Sequence, residues 1–304
     1  MTQLYHRTST IGIVVLNYLD YDESYENIKS YYSTNKKDSR INIKFYLIDN
    51  QSNSEKLNRF KKKLLSKHWG NEVVILENKE NLGFAQGMNT GLHTARSDGC
   101  DFVICSNSDI RYGSEFDFNI LLNQYYNNDK IGQLGVRIKG LDGSDQNPMY
   151  GLERRPKEGG AKAHLKRIVF FSTPMGKVLY YLAALYKYFW RANETVVDKQ
   201  QTVNGHVSRE VYCLHGAYFM LTPAYFREYS GLDPNTFLLG EELIIAERMY
   251  KSGLHGYYLS ELEVQHATGA SMNKLFEGKN FAKTMASIKN RYDSSRYISK
   301  HYRI

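Results

Sequence analysis

The sequence predicts an α/β fold with a mostly parallel central sheet flanked by helices, and three observations lead there. Short apolar runs recur at 11–16, 45–48, 73–76 and 102–105, a spacing of roughly 30 residues that suits βαβ units with right-handed crossovers. Amphipathic stretches that suit helices lie between them, at 22–33, 54–67 and 85–95. Three of the runs end in polar residues: Asn17 after the first, Asp49-Asn50 after the second, Asn107-Ser108-Asp109 after the fourth. In open parallel sheets ligands sit outside the carboxyl ends of the strands, so these groups are expected to meet in one crevice. Asx residues also start turns, and that role alone would account for any single one of them. The arrangement is Rossmann-like.

The remaining stretches are read in chain order. Between 141 and 205 the strand–helix alternation breaks down, which predicts a helical insertion. Within it Val178, Leu182, Leu185 and Phe189 recur at helical spacing and basic residues bracket the run. A helix lying in a membrane interface over about 164–191 fits this profile, and so does a helix packed on protein. The end of the chain, 272–304, is basic and amphipathic, suited to a packing or lipid-surface helix.

With 304 residues, 42% of them apolar, the chain can bury one large core. The formal charge of +8 is dispersed, with one short run at Lys61-Lys62-Lys63, so no nucleic-acid footprint is expected. A basic surface equally suits nucleotide diphosphates or anionic lipid. Three cysteines, Cys100, Cys105 and Cys213, give neither a disulfide framework nor a zinc spacing and point to reduced cytoplasmic thiols. No run approaches the roughly 18–20 apolar residues that span a bilayer, which predicts a soluble or peripheral protein.

Seven segments together resemble glycosyltransferase family 2, and within it the bacterial rhamnosyltransferase branch. They are Ile-Val-Val-Leu-Asn-Tyr (13–18), Leu-Ile-Asp-Asn-Gln-Ser (47–52), Glu-Asn-Leu-Gly-Phe-Ala-Gln-Gly-Met-Asn (80–89), Ser-Asn-Ser-Asp-Ile (106–110), His-Gly-Ala-Tyr-Phe (215–219), Phe-Leu-Leu-Gly-Glu-Glu (237–242) and His-Ala-Thr-Gly-Ala-Ser (266–271). Singly each is weak; the order and spacing make them specific. The resemblance implies an inverting enzyme of the GT-A fold. It divides 1–271 into a nucleotide-binding half (about 1–140), the insertion (about 141–205) and an acceptor-binding half (about 206–271), followed by the tail at 272–304.

Sugar transfer from a nucleotide diphosphate develops negative charge on the departing phosphate, which requires a cationic partner. Asp109 matches the last acid of the family's metal motif, here reduced to Asn107-Ser108-Asp109, and His266 resembles its later metal ligand. A carboxylate, an imidazole, phosphate oxygens and water suit Mn2+ or Mg2+. Asp49 stands where the family's acid accepts from the imide N–H of uracil or thymine, so a UDP- or dTDP-linked donor is implied. Asn17 and Asn50 are expected to shape that pocket. Asn81 and Gly83 open a helix whose N-terminus would face the donor, with Gly83 permitting close backbone approach. His215, Gly216 and Ala217 would form the floor under the sugar.

Inversion requires a base for the acceptor hydroxyl. The family draws it from a Glu-Asp pair at a helix start; here the pair is Glu241-Glu242, with Glu242 the expected base and Glu241 the competing one. First-turn acids are also favoured by the helix dipole alone, and Ile244 stands where many relatives carry another acid. The expected function is transfer of a sugar, L-rhamnose from dTDP-rhamnose first, to a lipid-linked glycan during surface-polysaccharide assembly at the inner face of a bacterial membrane. UDP-hexose or UDP-N-acetylhexosamine donors share these motifs. A non-catalytic nucleotide-sugar-binding protein is the second class, against which Asp109, Glu242 and His266 argue. A nucleotidyltransferase would need a Gly-rich basic loop after the first strand, where the chain reads Tyr-Leu-Asp-Tyr-Asp.

Overall fold

A computed structural model of the protein describes residues 8–34, 40–51, 54–152, 160–190, 207–267 and 280–302. The first half follows the predicted period closely. Strands β1 (Ser9–Asn17), β2 (Ile41–Asp49), β3 (Val73–Glu77) and β4 (Phe102–Asn107) are parallel in the order β3-β2-β1-β4. Helices α1 (Tyr21–Thr34), α2 (Ser54–Leu65) and α3 (Gly83–Ser97) connect them. The central stretches of β1, β2 and β4 are continuously buried because both faces of the sheet are covered there. Ile11, Ile13, Val15, Phe45 and Leu47 pack with α1 and α2, while Val14, Tyr46 and Ile48 pack with Ala85, Met88 and Leu92 of α3. The period of two thus divides one strand between two cores.

Beyond β4 the sheet becomes mixed. The elements that follow are β5 (Ile110–Tyr112), α4 (Phe118–Asn127), β6 (Ile131–Gly140), α5 (Gly160–Ser172), α6 (Pro174–Trp190), β7 (Arg209–Val211), β8 (Tyr218–Leu221), α7 (Pro223–Glu228), α8 (Glu241–Lys251), β9 (His255–His266) and α9 (Asn280–His301). Strand β8 runs antiparallel between β4 and β6, β9 runs parallel to β6, and β5 and β7 pair antiparallel with β9. The register fixes what meets at the carboxyl ends: Asn17 lies beside Asp49 on one side, while Leu16 lies beside Asn107 on the other.

Two differences from the expectation concern the second half. The helical part of the insertion starts only at Gly160; residues 141–152 form bridges instead, Asp145 with Lys139 and Tyr150 with Cys213. Helix α6 forms as the spacing predicts, but the side chains of Leu185 and Phe189 lie outside the described residues, as do 153–159, 191–206 and 268–279. Helix α9 packs its Ile298 and Tyr302 on Ile244 of α8. The apolar residue at 244 is therefore part of the seam between the two helices. The three cysteines are buried thiols.

Candidate active site

Strands β1 and β2 deliver the polar residues at their carboxyl ends into one network. Asp49 is fully buried. Its Oδ1 accepts from Asn17 Nδ2 at 3.3 Å, and the Tyr21 hydroxyl, from the first turn of α1, donates to Oδ1 and Oδ2 at 3.2 and 3.1 Å. Asn17 Oδ1 in turn accepts from the Asp20 amide and the Ser24 hydroxyl, both at 3.0 Å. Asn50 clamps the loop before α3. Its Nδ2 donates to Asn81 Oδ1 and Gly83 O at 3.0 and 2.9 Å, and its Oδ1 accepts from Asn78 Nδ2 and Leu82 N. Asn81 Oδ1 also accepts from Gly83 N at 2.9 Å. Asn17 and Asn50 thus hold the frame of the pocket, their amides engaged within the protein.

Gly83 needs a correction. Its φ of +79° and the space around it do demand glycine, but the close neighbour is the chain itself. A Cβ at Gly83 would lie 2.2 Å from Phe237 O, and Phe84 N donates to that same carbonyl at 2.8 Å. Gly83 therefore joins α3 to the 237–240 segment that leads into α8.

Asp109 and His266 are brought together by strand pairing across 157 residues of sequence. Ile110 is in register with His266, and Ala267 N donates to Asp109 O at 3.1 Å. The two side chains are nearly buried, with His266 Nε2 3.2 Å from Asp109 Oδ1. On the far side of the ring Nδ1 lies 2.7 Å from Gln146 Oε1. An amide oxygen accepts, so Nδ1 donates to Gln146 and Nε2 is the ring nitrogen that faces the carboxylate. A carboxylate oxygen and a ring nitrogen that face each other, the ring oriented by an outer hydrogen bond, are ligand types that fit a divalent cation. Among the described residues no group of three or more His, Cys, Asp or Glu side chains forms a metal cage. A cation there would need oxygen ligands from elsewhere. Asn107 is half-buried at the end of β4, its backbone held by Ala217 O and Asn27 Nδ2.

The His215 ring lies 5.9 Å from that of His266, with His215 Nδ1 accepting from Ala217 N at 3.1 Å. Burial, together with repulsion from His266, pushes its pKa down to about 4, against the pull of Asp109. His215 is thus a neutral wall beside the Asp109–His266 pair. Gly216 follows, and a Cβ there would lie 2.7 Å from Glu242 Oε1, so any larger residue would displace the Glu242 side chain. Glu242 is half-buried over Gly216, while Glu241 is buried beside Thr236. Burial raises Glu242 above the ordinary carboxylate range, opposed by the backbone amides of Glu242, Gly216 and Gly240 and by Arg291. Burial and the neighbouring Glu242 charge push Glu241 up to about 8. Burial disfavours the charged form of both carboxyls, and Glu242 is the less buried of the two.

Three polar partners escaped the sequence reading: Tyr21 on Asp49, Gln146 on His266, and Asn147, whose Oδ1 accepts from His215 N at 3.0 Å. Tyr21 sits four residues after Asn17, as the first residue of α1, a signal that was available. Gln146 and Asn147 lie where the periodicity fails, and nothing local marks them. A cavity of about 610 Å³ opens at the amino end of β4, lined by Phe102, Tyr126, Lys130 and Arg227 among others. It is remote from all these groups.

The sequence model of the glycosyl transferase family 2 matches residues 11–183. No curated protein sequence matches the chain significantly. Among solved structures, GalNAc-T7 with UDP, GalNAc and Mn2+ is similar over 97% of this chain and 58% of its own, at a TM-score of 0.56 and 15% identity. The S. aureus TarS 1-349 structure is similar over 97% of this chain and 73% of its own, at 0.51 and 11%. The same TarS fragment in complex with UDP gives 0.50 and 11%, over 97% and 72%. The chain spans less than two thirds of the GalNAc-T7 chain, and at these identities the likeness is one of fold.

Proposed function

From the premise that the chain belongs to glycosyl transferase family 2 and carries its GT-A fold, we propose that it is an inverting, metal-dependent nucleotide-sugar glycosyltransferase. The observation that carries this is the unbroken line Asp109–His266–His215–Gly216–Glu242, which sets a cation-compatible pair and a carboxylate on either side of a glycine floor. Glu242 takes the acceptor hydroxyl's proton as its oxygen attacks the anomeric carbon from the face opposite the diphosphate. The bond to the diphosphate breaks as the new glycosidic bond forms, which inverts the centre. Mn2+ or Mg2+ held by Asp109 and His266 would supply charge neutralisation for the leaving diphosphate. Asp49 accepts from the imide of uracil or thymine, steadied by Asn17 and Tyr21.

The donor is a dTDP- or UDP-sugar. Resemblance of the motifs to the rhamnosyltransferase branch favours dTDP-L-rhamnose; the UDP in the GalNAc-T7 and TarS structures favours a UDP-hexose or UDP-N-acetylhexosamine. The acceptor is a lipid-linked glycan in polysaccharide assembly, reached from the cytoplasmic face of a bacterial membrane. Met175, Val178 and Leu182 of α6 are 66%, 57% and 54% exposed, supporting peripheral contact through this part of the insertion. Among the described residues no helix is long and apolar enough to cross a membrane.

The test is a panel of nucleotide sugars, each with Mn2+ and with EDTA, read as thermal stabilisation and as slow donor hydrolysis. Metal-dependent stabilisation by dTDP-rhamnose alone supports the rhamnosyl reading. Preference for a UDP-sugar replaces the donor and keeps the mechanism; no stabilisation by any of them removes the enzyme reading.

A further inference from the structure

Helices α5 and α9 build a cationic rim next to the base. Helix α9 is fixed on the approach to α8: a Cβ at Gly240 would lie 3.1 Å from Ser294 Cβ and 3.2 Å from Ile298 Cδ1, and the Ser294 hydroxyl donates to Leu238 O at 3.4 Å. Helix α5 packs along α9 in turn, with a Cβ at Gly160 3.4 Å from Ser295 Oγ. One turn before Ser294 and Ser295 on α9 stands Arg291; one turn beyond Gly160 on α5 stands His164, with Arg167 a further turn on. Because Gly240 and Gly160 approach α9 at Ser294 and Ser295, one turn on from Arg291, this arginine stands on the stretch of α9 that is packed against both the start of α8 and α5. His164 Nδ1 is buried with no hydrogen-bond partner. Burial, then Arg167 and Arg291, lower its pKa, so the ring is neutral among cations. A buried ring nitrogen left open between two exposed guanidinium side chains is a ligand-binding feature. Alongside, Leu165, Val169 and Phe170 of α5 are exposed.

We propose that Arg291 and Arg167, with His164 between them, bind the phosphate or diphosphate of an amphiphilic acceptor whose hydrocarbon lies along the apolar face of α5 and α6. The assignment rests on the glycosyl-transfer reading above and names the acceptor class: an anionic lipid-linked sugar whose hydroxyl is thereby presented to Glu242. The anion is the acceptor's own, distinct from a headgroup of the surrounding bilayer.

The experiment titrates the full chain, saturated with UDP or dTDP and Mn2+ to fill the donor pocket, with farnesyl diphosphate and with farnesol. The wild type is expected to prefer the diphosphate by about tenfold or more. Arg291→Gln and Arg167→Gln are each expected to reduce that preference to about threefold or less, with Arg291→Lys retaining part of it and nucleotide binding unchanged throughout. Equal binding of the two probes by the wild type, or an undiminished preference in both Gln variants, overturns the proposal. So does a result in which the Gln variants lose only affinity for phosphatidylcholine vesicles containing phosphatidylglycerol over phosphatidylcholine alone, since the anion is then a headgroup. Failure of the wild type to bind either nucleotide would instead remove the glycosyl-transfer reading, a distinguishable outcome.

Discussion

At the nucleotide end of the crevice Asp49, Asn17 and Asn50 are almost wholly buried and hydrogen-bonded to one another's strands and loops. At the acceptor end Glu242 is half-buried, Arg167 and Arg291 are exposed, and the polar groups come from helices far apart in sequence. The first end is a preorganised frame, rigid because every buried polar atom there costs more unpaired than paired. The second keeps charge poised at its edge, where an arriving acceptor can meet it. The difference teaches that the polar groups at the strand ends are fixed by the sheet, whereas the surroundings of Glu242 depend on how α8 and α9 are held.

Substitutions can break that comparison, and the largest effect is expected at the acceptor end. Glu242→Gln should lower turnover by about 10²–10⁴-fold while leaving nucleotide binding intact, measured as kcat against donor stabilisation. Unchanged turnover would remove Glu242 as base. Because burial raises Glu242, the acidic limb of the pH–rate profile should lie above the ordinary carboxylate range. Gln146→Ala should cost about 10–100-fold in Mn2+ affinity by removing the group that orients His266, whereas Asp109→Asn should abolish metal-dependent nucleotide stabilisation; calorimetric Mn2+ titration with UDP present checks both.

At the nucleotide end the effects should be smaller and fall on stability. Tyr21→Phe removes the hydroxyl whose single hydrogen is shared between the two oxygens of buried Asp49 and should cost about 1–3 kcal/mol, with a raised donor KM and little change in kcat; a large kcat loss would contradict a framing role. Glu241 sharpens the boundary between the ends. Its folded pKa, about 8, exceeds its unfolded value, so its contribution to stability is full below the ordinary carboxylate pKa and is lost as pH rises through about 8. Glu241→Gln should flatten the fall in Tm over that window while retaining activity, which thermal melts at several pH values will check.

The first half of the fold was legible because strand and helix periods repeat locally, and each of Asn17, Asp49 and Asn107 could be placed at a strand end from its own neighbours. Asp109 and Glu242 are singled out only through the resemblance to family motifs. The tight contact of Gly83 with Phe237 was not legible, since a glycine's sequence does not say which backbone will approach it. Gln146 was missed because residues 141–152 follow no period.

The sequence by itself determined the parallel half of the sheet and the polar residues at its strand ends, because hydrophobic periodicity and strand ends are local properties. Only the tertiary structure decided which of two adjacent carboxylates is the more buried, what holds the His266 ring, and that α9 packs on α8. Those outcomes depend on burial and on partners up to 120 residues apart, as for Gln146 and His266, and desolvation and contact between distant segments leave no periodic trace in the chain.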